Sequence, residues 1–131
     1  MTPDSILRID DAFATAPQLR PEDLPAIARA GFRSVINNRP DFEGGPDQPT
    51  AAHMREAALR AGLDYVHQPV DSSRLTPADA QRLAELLAEL PMPVLAFCRS
   101  GTRSRRLYEA ARAMRPDRSS VTDGDPGPTA T

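Results

Sequence analysis

Short apolar runs alternate with longer amphipathic stretches along most of this chain. The clearest amphipathic stretch covers residues 76–90, where leucines recur at three- and four-residue spacing and so share one face of a helix. Thr76 is suited to cap that helix, Pro77 to occupy its first turn, and Asp79 to complete a capping box with Thr76. The predicted apolar face consists of Leu83, Leu86, Leu87 and Leu90.

The same patterning predicts further helices and short strands that alternate along the chain. The other predicted helices cover residues 20–32, 51–62 and 101–114. The predicted strands cover residues 32–38, 63–70 and 91–97, and residues 5–16 are expected to form two edge strands. Because strands and helices alternate, we predict an α/β fold with three layers, α/β/α, around a mostly parallel central sheet.

The length of 131 residues fits one domain that buries enough apolar surface to fold without a disulfide or a metal. We expect this domain to cover residues 1–115. Residues 116–131 are rich in proline, glycine, serine and aspartate, and are expected to be a disordered C-terminal tail. The single cysteine excludes an internal disulfide, and no cysteine and histidine cluster indicates a zinc site. Neither a metal nor a cofactor is therefore expected.

Charge and hydropathy narrow the classes of partner. The formal net charge of -2 gives no general attraction to nucleic acid or to an anionic membrane. No apolar run approaches the roughly 20 residues needed to span a bilayer, and the first residues lack the pattern of a secretion signal. We therefore expect a cytoplasmic protein without a nucleic-acid or membrane partner. A local cluster of arginines instead indicates a small anion, and it consists of Arg99, Arg103, Arg105 and Arg106.

The only cysteine, Cys98, follows the most apolar predicted strand and precedes a predicted helix, where ligands of parallel sheets bind. Gly101 allows the backbone to curl so that successive N–H groups point inward, and Arg103 offers a planar fork to an oxyanion. The same field favours a thiolate, which is a nucleophile. Alternatively, Cys98 merely ends a buried strand, and the arginines form a solvated helix face. Arg105 and Arg106 are expected to be such surface charges in either case.

Four segments of the chain resemble, in order, the phosphatase-like domain family found fused to beta-lactamase-like hydrolases and sulfide oxidation enzymes. The segments are VINNRPD, AGLDYVHQPV, LTPADAQRLAELL and VLAFCRSGTRS, and the resemblance covers roughly residues 5–114, which is nearly all of the chain expected to be ordered. The resemblance implies the fold of cysteine-dependent dual-specificity phosphatases, with Cys98 as the nucleophile and Arg103 as the anion clamp. Both phosphatase activity and sulfur transfer have been proposed for members of the family.

The spacing within the cysteine loop favours one of these two chemistries. Cysteine phosphatases resemble one another in a His-Cys pair followed by five residues and an arginine, whereas here four residues separate Cys98 from Arg103, and Phe97 replaces the histidine. The spacing Cys-Arg-x-Gly-x-Arg resembles rhodanese loops, in which the cysteine carries a sulfane sulfur. We therefore predict sulfur transfer through a persulfide on Cys98, from a small anionic or sulfane-sulfur substrate to an external thiol acceptor. The loop residues expected to bind the anion are Arg99, Ser100, Gly101 and Thr102.

Two other functions are compatible with the sequence. One is hydrolysis of phosphate monoesters through a phosphocysteine, with Asp71 as the acid for the leaving oxygen, although Asp71 is equally an ordinary turn residue. The other is a non-catalytic anion or persulfide sensor. Ser104 is expected to hydrogen-bond the thiolate, to help cap the helix, or both. Arg39 follows another strand and either adds a second cation to the pocket or pairs with Asp41 to hold its loop.

Overall fold

A five-stranded sheet forms the centre of the protein in the computed structural model, which describes residues 5–114. The strands are β1 (Leu7–Arg8), β2 (Phe13–Ala16), β3 (Ser34–Asn37), β4 (Asp64–His67) and β5 (Val94–Phe97). They lie in the order β1-β2-β5-β3-β4, and β2, β5, β3 and β4 run parallel to one another. Among these strands β1 alone is antiparallel to its neighbour. The mostly parallel sheet predicted from the alternation of elements is confirmed.

Within the described residues, four α-helices connect or follow the strands. They are α1 (Leu24–Arg29), α2 (Ala51–Arg60), α3 (Pro77–Glu89) and α4 (Thr102–Met114). The predicted capping box begins α3: the Thr76 hydroxyl accepts the N–H of Asp79 at 3.2 Å, and the Asp79 carboxylate accepts the N–H of Thr76 at 3.0 Å. A short 3-10 turn at Pro21–Asp23 leads into α1. The helices predicted from periodicity are therefore present.

The two faces of the sheet carry separate apolar clusters. Val94 and Ala96 of β5 pack on the side of α3 and α4, whereas Leu95 and Phe97 pack on the side of α1 and α2. All four residues of β5 are buried, as expected for a parallel strand covered on both faces. A leucine such as Leu95, which is fully buried, contributes about 1.5–3 kcal/mol to folding. The helices on both faces confirm the predicted three-layer α/β/α arrangement.

Residues 5–16 form two strands as expected, but only the first of them lies at the edge of the sheet. β1 does lie at the edge, but β2 lies between β1 and β5, and each of its residues is buried. Three of those residues are the small side chains Ala14, Thr15 and Ala16, which give little hydrophobic signal in the sequence. The ring of Phe13 stacks on Tyr108 of α4 with centroids 3.9 Å apart, so β2 supports the helix that follows the cysteine loop.

The carboxyl ends of the parallel strands β3, β4 and β5 lie side by side at one end of the sheet. Asn37 of β3 is in register with Phe97 of β5 on one side and with His67 of β4 on the other. The N–H of Asn38 donates to the carbonyl of Phe97 at 2.8 Å, which holds the segment after β3 against the end of β5. The loops after β3, β4 and β5 therefore share this end of the sheet, where ligands of parallel sheets bind.

The predicted domain boundary at residue 115 lies outside the residues that the structure describes, so it stays a prediction. Residues 116–131, expected to be disordered, lie outside the described residues. Within residues 5–114, no helix combines the length and the apolar character that crossing a bilayer requires.

Candidate active site

Cys98 is the first residue after β5, and the loop that it begins leads into α4. The residue is only 1% exposed, and its Sγ accepts the N–H of Gly101 at 3.0 Å. Gly101 has a φ of 98°, a conformation that other residues rarely adopt, and this turn brings its amide back toward the sulfur. The loop thus curls around the thiol in the manner of an anion-binding nest.

The pKa of the Cys98 thiol results from opposing effects. Burial raises it, while the N–H and hydroxyl of Ser104, followed by the N–H groups of Gly101 and Ser100, lower it by donating to the sulfur. The hydrogen bonds prevail, so the pKa of Cys98 lies below its ordinary value. The thiol is buried as a core cysteine would be, yet its surroundings favour the thiolate.

Ser104 connects the thiol to the loop after β3. Its Oγ donates to the Oδ1 of Asn38 at 2.8 Å, and both side chains are buried. A hydroxyl has one hydrogen, so Ser104 donates either to Asn38 or to the Cys98 thiolate, not to both at once. Ionisation of Cys98 is therefore expected to rotate this hydroxyl toward the sulfur and to leave Asn38 Oδ1 without that donor.

The guanidinium of Arg103 lies inside the protein, with a side chain only 8% exposed. Its Nη1 donates to the carbonyls of Val70 at 3.0 Å and Asn38 at 3.4 Å. Its Nη2 donates to the carboxylate of Glu43 at 3.0 Å. The Nε is buried and has no hydrogen-bond partner among residues 5–114, so its N–H remains free to donate to a bound anion.

Glu43 is a site residue that the sequence did not reveal. The same Oε1 that accepts from Arg103 also accepts from the Nε of Arg39 at 2.8 Å. Burial raises the pKa of Glu43, but the hydrogen bonds and positive charges of Arg103 and Arg39 lower it more, and the net shift is downward. One carboxylate oxygen therefore fixes two arginines in place.

Arg39 has a different arrangement from either sequence-based alternative. It pairs with Glu43 rather than with Asp41, and its Nη1 also donates to the Oε1 of Gln18 at 3.0 Å. Asp41 instead accepts the N–H of Ala51 at 2.7 Å, at the start of α2. His67 holds the same loop, since its Nε2 lies 2.9 Å from the carbonyl of Arg39.

A cavity of about 220 Å³ opens above Cys98. Its volume is below the roughly 300–1,000 Å³ of sites for drug-sized ligands, which fits a small substrate group. Its lining consists of Ser72, Leu75, Cys98, Arg99, Ser100, Thr102, Arg103 and Arg106. The predicted anion-binding residues Arg99, Ser100 and Thr102 therefore line this cavity, whereas Gly101 lines a neighbouring one. Arg39 and Ser104 line neither cavity: Arg39 donates to Glu43, and Ser104 donates to the Cys98 sulfur.

Asp71 lies on the loop between β4 and α3, next to the cavity residue Ser72. Its side chain is exposed, and its Oδ1 accepts both the N–H of Ser73 at 2.9 Å and the hydroxyl of Ser73 at 2.8 Å. These hydrogen bonds lower the pKa of Asp71. Asp71 thus makes the hydrogen bonds of a turn carboxylate, and its lowered pKa disfavours the protonated form that an acid catalyst needs.

The chain is similar to known proteins over nearly the whole of its described length. The sequence profile of the phosphatase-like domain of beta-lactamase hydrolase-like proteins matches residues 6–115. A beta-lactamase hydrolase-like protein of Agrobacterium fabrum is 38% identical over 119 residues, which are 89% of this chain and 27% of that protein. The chain thus spans about a quarter of the length of the curated relatives it matches.

Several solved structures share the fold. A candidate phosphatase of Neisseria meningitidis is 35% identical and has a TM-score of 0.74, with coverage of 79% of this chain and 73% of the other. The structure of Tk-PTP in the active form is 23% identical and has a TM-score of 0.61, with coverage of 88% of this chain and 87% of the other. The predicted cysteine-phosphatase-like fold is therefore confirmed.

Proposed function

Because this chain belongs to the phosphatase-like domain family of beta-lactamase hydrolase-like proteins, we propose that it is a cysteine-dependent hydrolase of phosphate monoesters. The observation that carries the proposal is the environment of Cys98, a buried thiol whose pKa is lowered by loop donors at the base of an arginine-lined cavity. The fold shared with cysteine phosphatases supports phosphate as the group bound there. We therefore favour phosphoester hydrolysis over sulfur transfer, for which the only support is the spacing of the loop.

The proposed reaction has two displacement steps. The Cys98 thiolate attacks phosphorus, an S–P bond forms, and the ester P–O bond breaks as the leaving oxygen departs with its electron pair and takes a proton from water. A water molecule then attacks the phosphocysteine, the S–P bond breaks, and the thiolate and inorganic phosphate are released; one proton of that water neutralises the hydroxide left when the leaving oxygen was protonated. The loop N–H groups and Arg103 stabilise the charge on the equatorial phosphate oxygens in both steps.

The surroundings of Asp71 set the expected substrate preference. An aspartate is ionised at neutral pH, and the lowered pKa of Asp71 makes its protonated form scarcer still, so we expect it to supply little of the proton that a strongly basic leaving oxygen needs. Aryl phosphates, whose leaving oxygens are weakly basic, depend little on such a proton and are expected to react faster than alkyl phosphates.

Turnover of an aryl phosphate tests the proposal. We expect Cys98→Ser and Arg103→Ala each to lower kcat/KM by about 100-fold or more, since one removes the nucleophile and the other a transition-state donor. Arg105→Ala is the matched control, because Arg105 lies on the same helix but is exposed and pairs with Glu109 at 3.4 Å. Turnover that persists in Cys98→Ser at the wild-type rate would show that the thiol is not the nucleophile.

Sulfur transfer is the second candidate, and the spacing of four residues between Cys98 and Arg103 favours it. In this reaction the thiolate attacks the outer sulfur of thiosulfate or a persulfide, the donor leaves as sulfite or a thiol, and an external thiol removes the sulfur from Cys98. No leaving oxygen needs a proton, which suits an ionised Asp71. Mass spectrometry after treatment with thiosulfate distinguishes the candidates, because sulfur transfer adds one sulfur atom to Cys98. Oxyanion binding with neither reaction would instead indicate a sensor.

A further inference from the structure

We propose that the cavity selects substrates with two anionic groups, one held by the Cys98 loop and the other by Arg99 and Arg106 at the rim. The assignment of the first group rests on the proposed function, whereas the second depends on different residues. Arg99 and Arg106 both line the cavity and both are exposed. The proposal therefore concerns the class of substrate rather than the reaction.

The two rim arginines have no carboxylate partner within residues 5–114. Arg103, deeper in the same cavity, is paired with Glu43, and Arg105 on the adjacent side of α4 is paired with Glu109. No aspartate or glutamate of the described chain lines the cavity. The guanidinium groups at the rim are thus available to a ligand.

Asp71 and Glu43, which lie on the loops after β4 and β3, form no ion pair with either rim arginine within residues 5–114. Asp71 precedes the lining residue Ser72, but its Oδ1 accepts from the N–H and hydroxyl of Ser73. Glu43 is occupied by Arg103 and Arg39 through one oxygen. An anion that fills the loop and extends outward therefore meets positive charge along its path.

Helix geometry sets the distance between the two anionic groups. Arg106 follows Arg103 by three residues on α4, so the two side chains lie on one face, with their Cβ atoms about 5–6 Å apart. Arg99 lies beside Cys98 at the opposite end of the loop. A second anionic group three or four bonds from the phosphorus fits this spacing. A simple aryl or alkyl phosphate has no second anionic group to bind Arg106.

Protection of Cys98 from alkylation by iodoacetamide measures this binding without any turnover. The probes are butylphosphonate, with one anionic group, and 4-phosphonobutyrate, with a carboxylate at the end of a chain of similar length. We expect 4-phosphonobutyrate to protect Cys98 at a lower concentration than butylphosphonate does. Arg99→Gln and Arg106→Gln should each shrink that advantage about two- to fivefold, the range of an exposed ion pair.

Arg105→Gln is the control, since it removes the same charge one residue away from Arg106 without altering the cavity lining. Equal protection by the two phosphonates in the wild type, or an equal loss in Arg105→Gln and Arg106→Gln, overturns the proposal. If neither phosphonate protects, the anion site of the loop is absent and both proposals fail. Selective protection by 4-phosphonobutyrate without turnover of any phosphate ester supports the rim proposal and contradicts only the hydrolase.

Discussion

The carboxylate of Glu43 lies 3.0 Å from the Nη2 of Arg103, and this ion pair ties the loop after β3 to the first turn of α4. The two residues are 60 positions apart in the chain. Arg103 follows the nucleophile candidate Cys98, so the orientation of its guanidinium depends on the loop after β3, the strand next to β5 in the sheet. The site is held together by tertiary contacts rather than by the cysteine loop alone.

Replacing Glu43 with glutamine is expected to destabilise the protein by about 1–3 kcal/mol. The substitution leaves the buried guanidinium groups of Arg103 and Arg39 without a counter-charge; the loss stays below that of a fully buried pair because the Glu43 side chain is 27% exposed. Urea denaturation measures the change. Glu109→Gln, which breaks the exposed pair with Arg105, should change stability by less than about 0.5 kcal/mol. Equal effects of the two substitutions would contradict this role of Glu43.

The same ion pair predicts a dependence of stability on pH. Because the pKa of Glu43 is lowered in the folded protein, its contribution is present above the unfolded-state pKa, for which 4.5 is the reference value, and is lost as pH falls through the folded-state pKa. The difference in unfolding free energy between wild type and Glu43→Gln should therefore shrink below that reference value. A difference that stays constant through this range of pH would show that the carboxylate charge is not the stabilising element.

Ser104→Ala is expected to raise the pKa of Cys98, because it removes a hydroxyl that donates to the sulfur. The rate of alkylation by iodoacetamide as a function of pH reports this pKa, since only the thiolate reacts. Ser100→Ala is the matched control, because Ser100 donates to the sulfur through its backbone N–H, which alanine retains. A rise in the pKa in both variants, or in neither, contradicts the assignment to the Ser104 hydroxyl.

Gly101→Ala is expected to raise the pKa of Cys98 and to destabilise the protein by about 1–2 kcal/mol. Alanine resists a φ of 98°, and a relaxed loop would withdraw the amide that donates to the sulfur. Gly31→Ala provides the control, since Gly31 has a φ of 103° after α1, far along the chain from the site. It should cost similar stability in thermal unfolding and leave the alkylation profile of Cys98 unchanged.

Asp71→Asn is expected to lower turnover of an aryl phosphate by less than about tenfold, because the carboxylate is already ionised and engaged with Ser73. A general acid would instead be worth about 100-fold or more, and its loss would also remove the alkaline limb of the pH profile. Steady-state kinetics across pH separates the two outcomes. A large loss with a changed profile would establish Asp71 as the acid.

The sequence indicates those parts of the site that depend on local signals. The capping box of α3, the apolar strand β5 and the position of Cys98 at its end all follow from neighbouring residues in the chain. The burial of β2 gives no such signal, because its alanines and threonine are not distinctive. Glu43 was missed because three acidic residues share the loop 39–50, and only the tertiary structure shows which one meets Arg103.

The choice between chemistries also exceeds the local signal. Four residues between Cys98 and Arg103 favour sulfur transfer, whereas the fold and the family favour phosphoester hydrolysis. The spacing determines the size of the loop, but it does not determine whether the thiolate attacks phosphorus or sulfur in the substrate. The covalent state of Cys98 during reaction decides the matter.

The most direct test of the central claim is therefore the mass of the Cys98 peptide after rapid acid quenching of the protein with an aryl phosphate. The proposed mechanism predicts one phosphoryl group on Cys98 of the wild type and none in Cys98→Ser. An unmodified Cys98 during measurable turnover, or a single added sulfur after thiosulfate with no phosphoryl adduct, would contradict it.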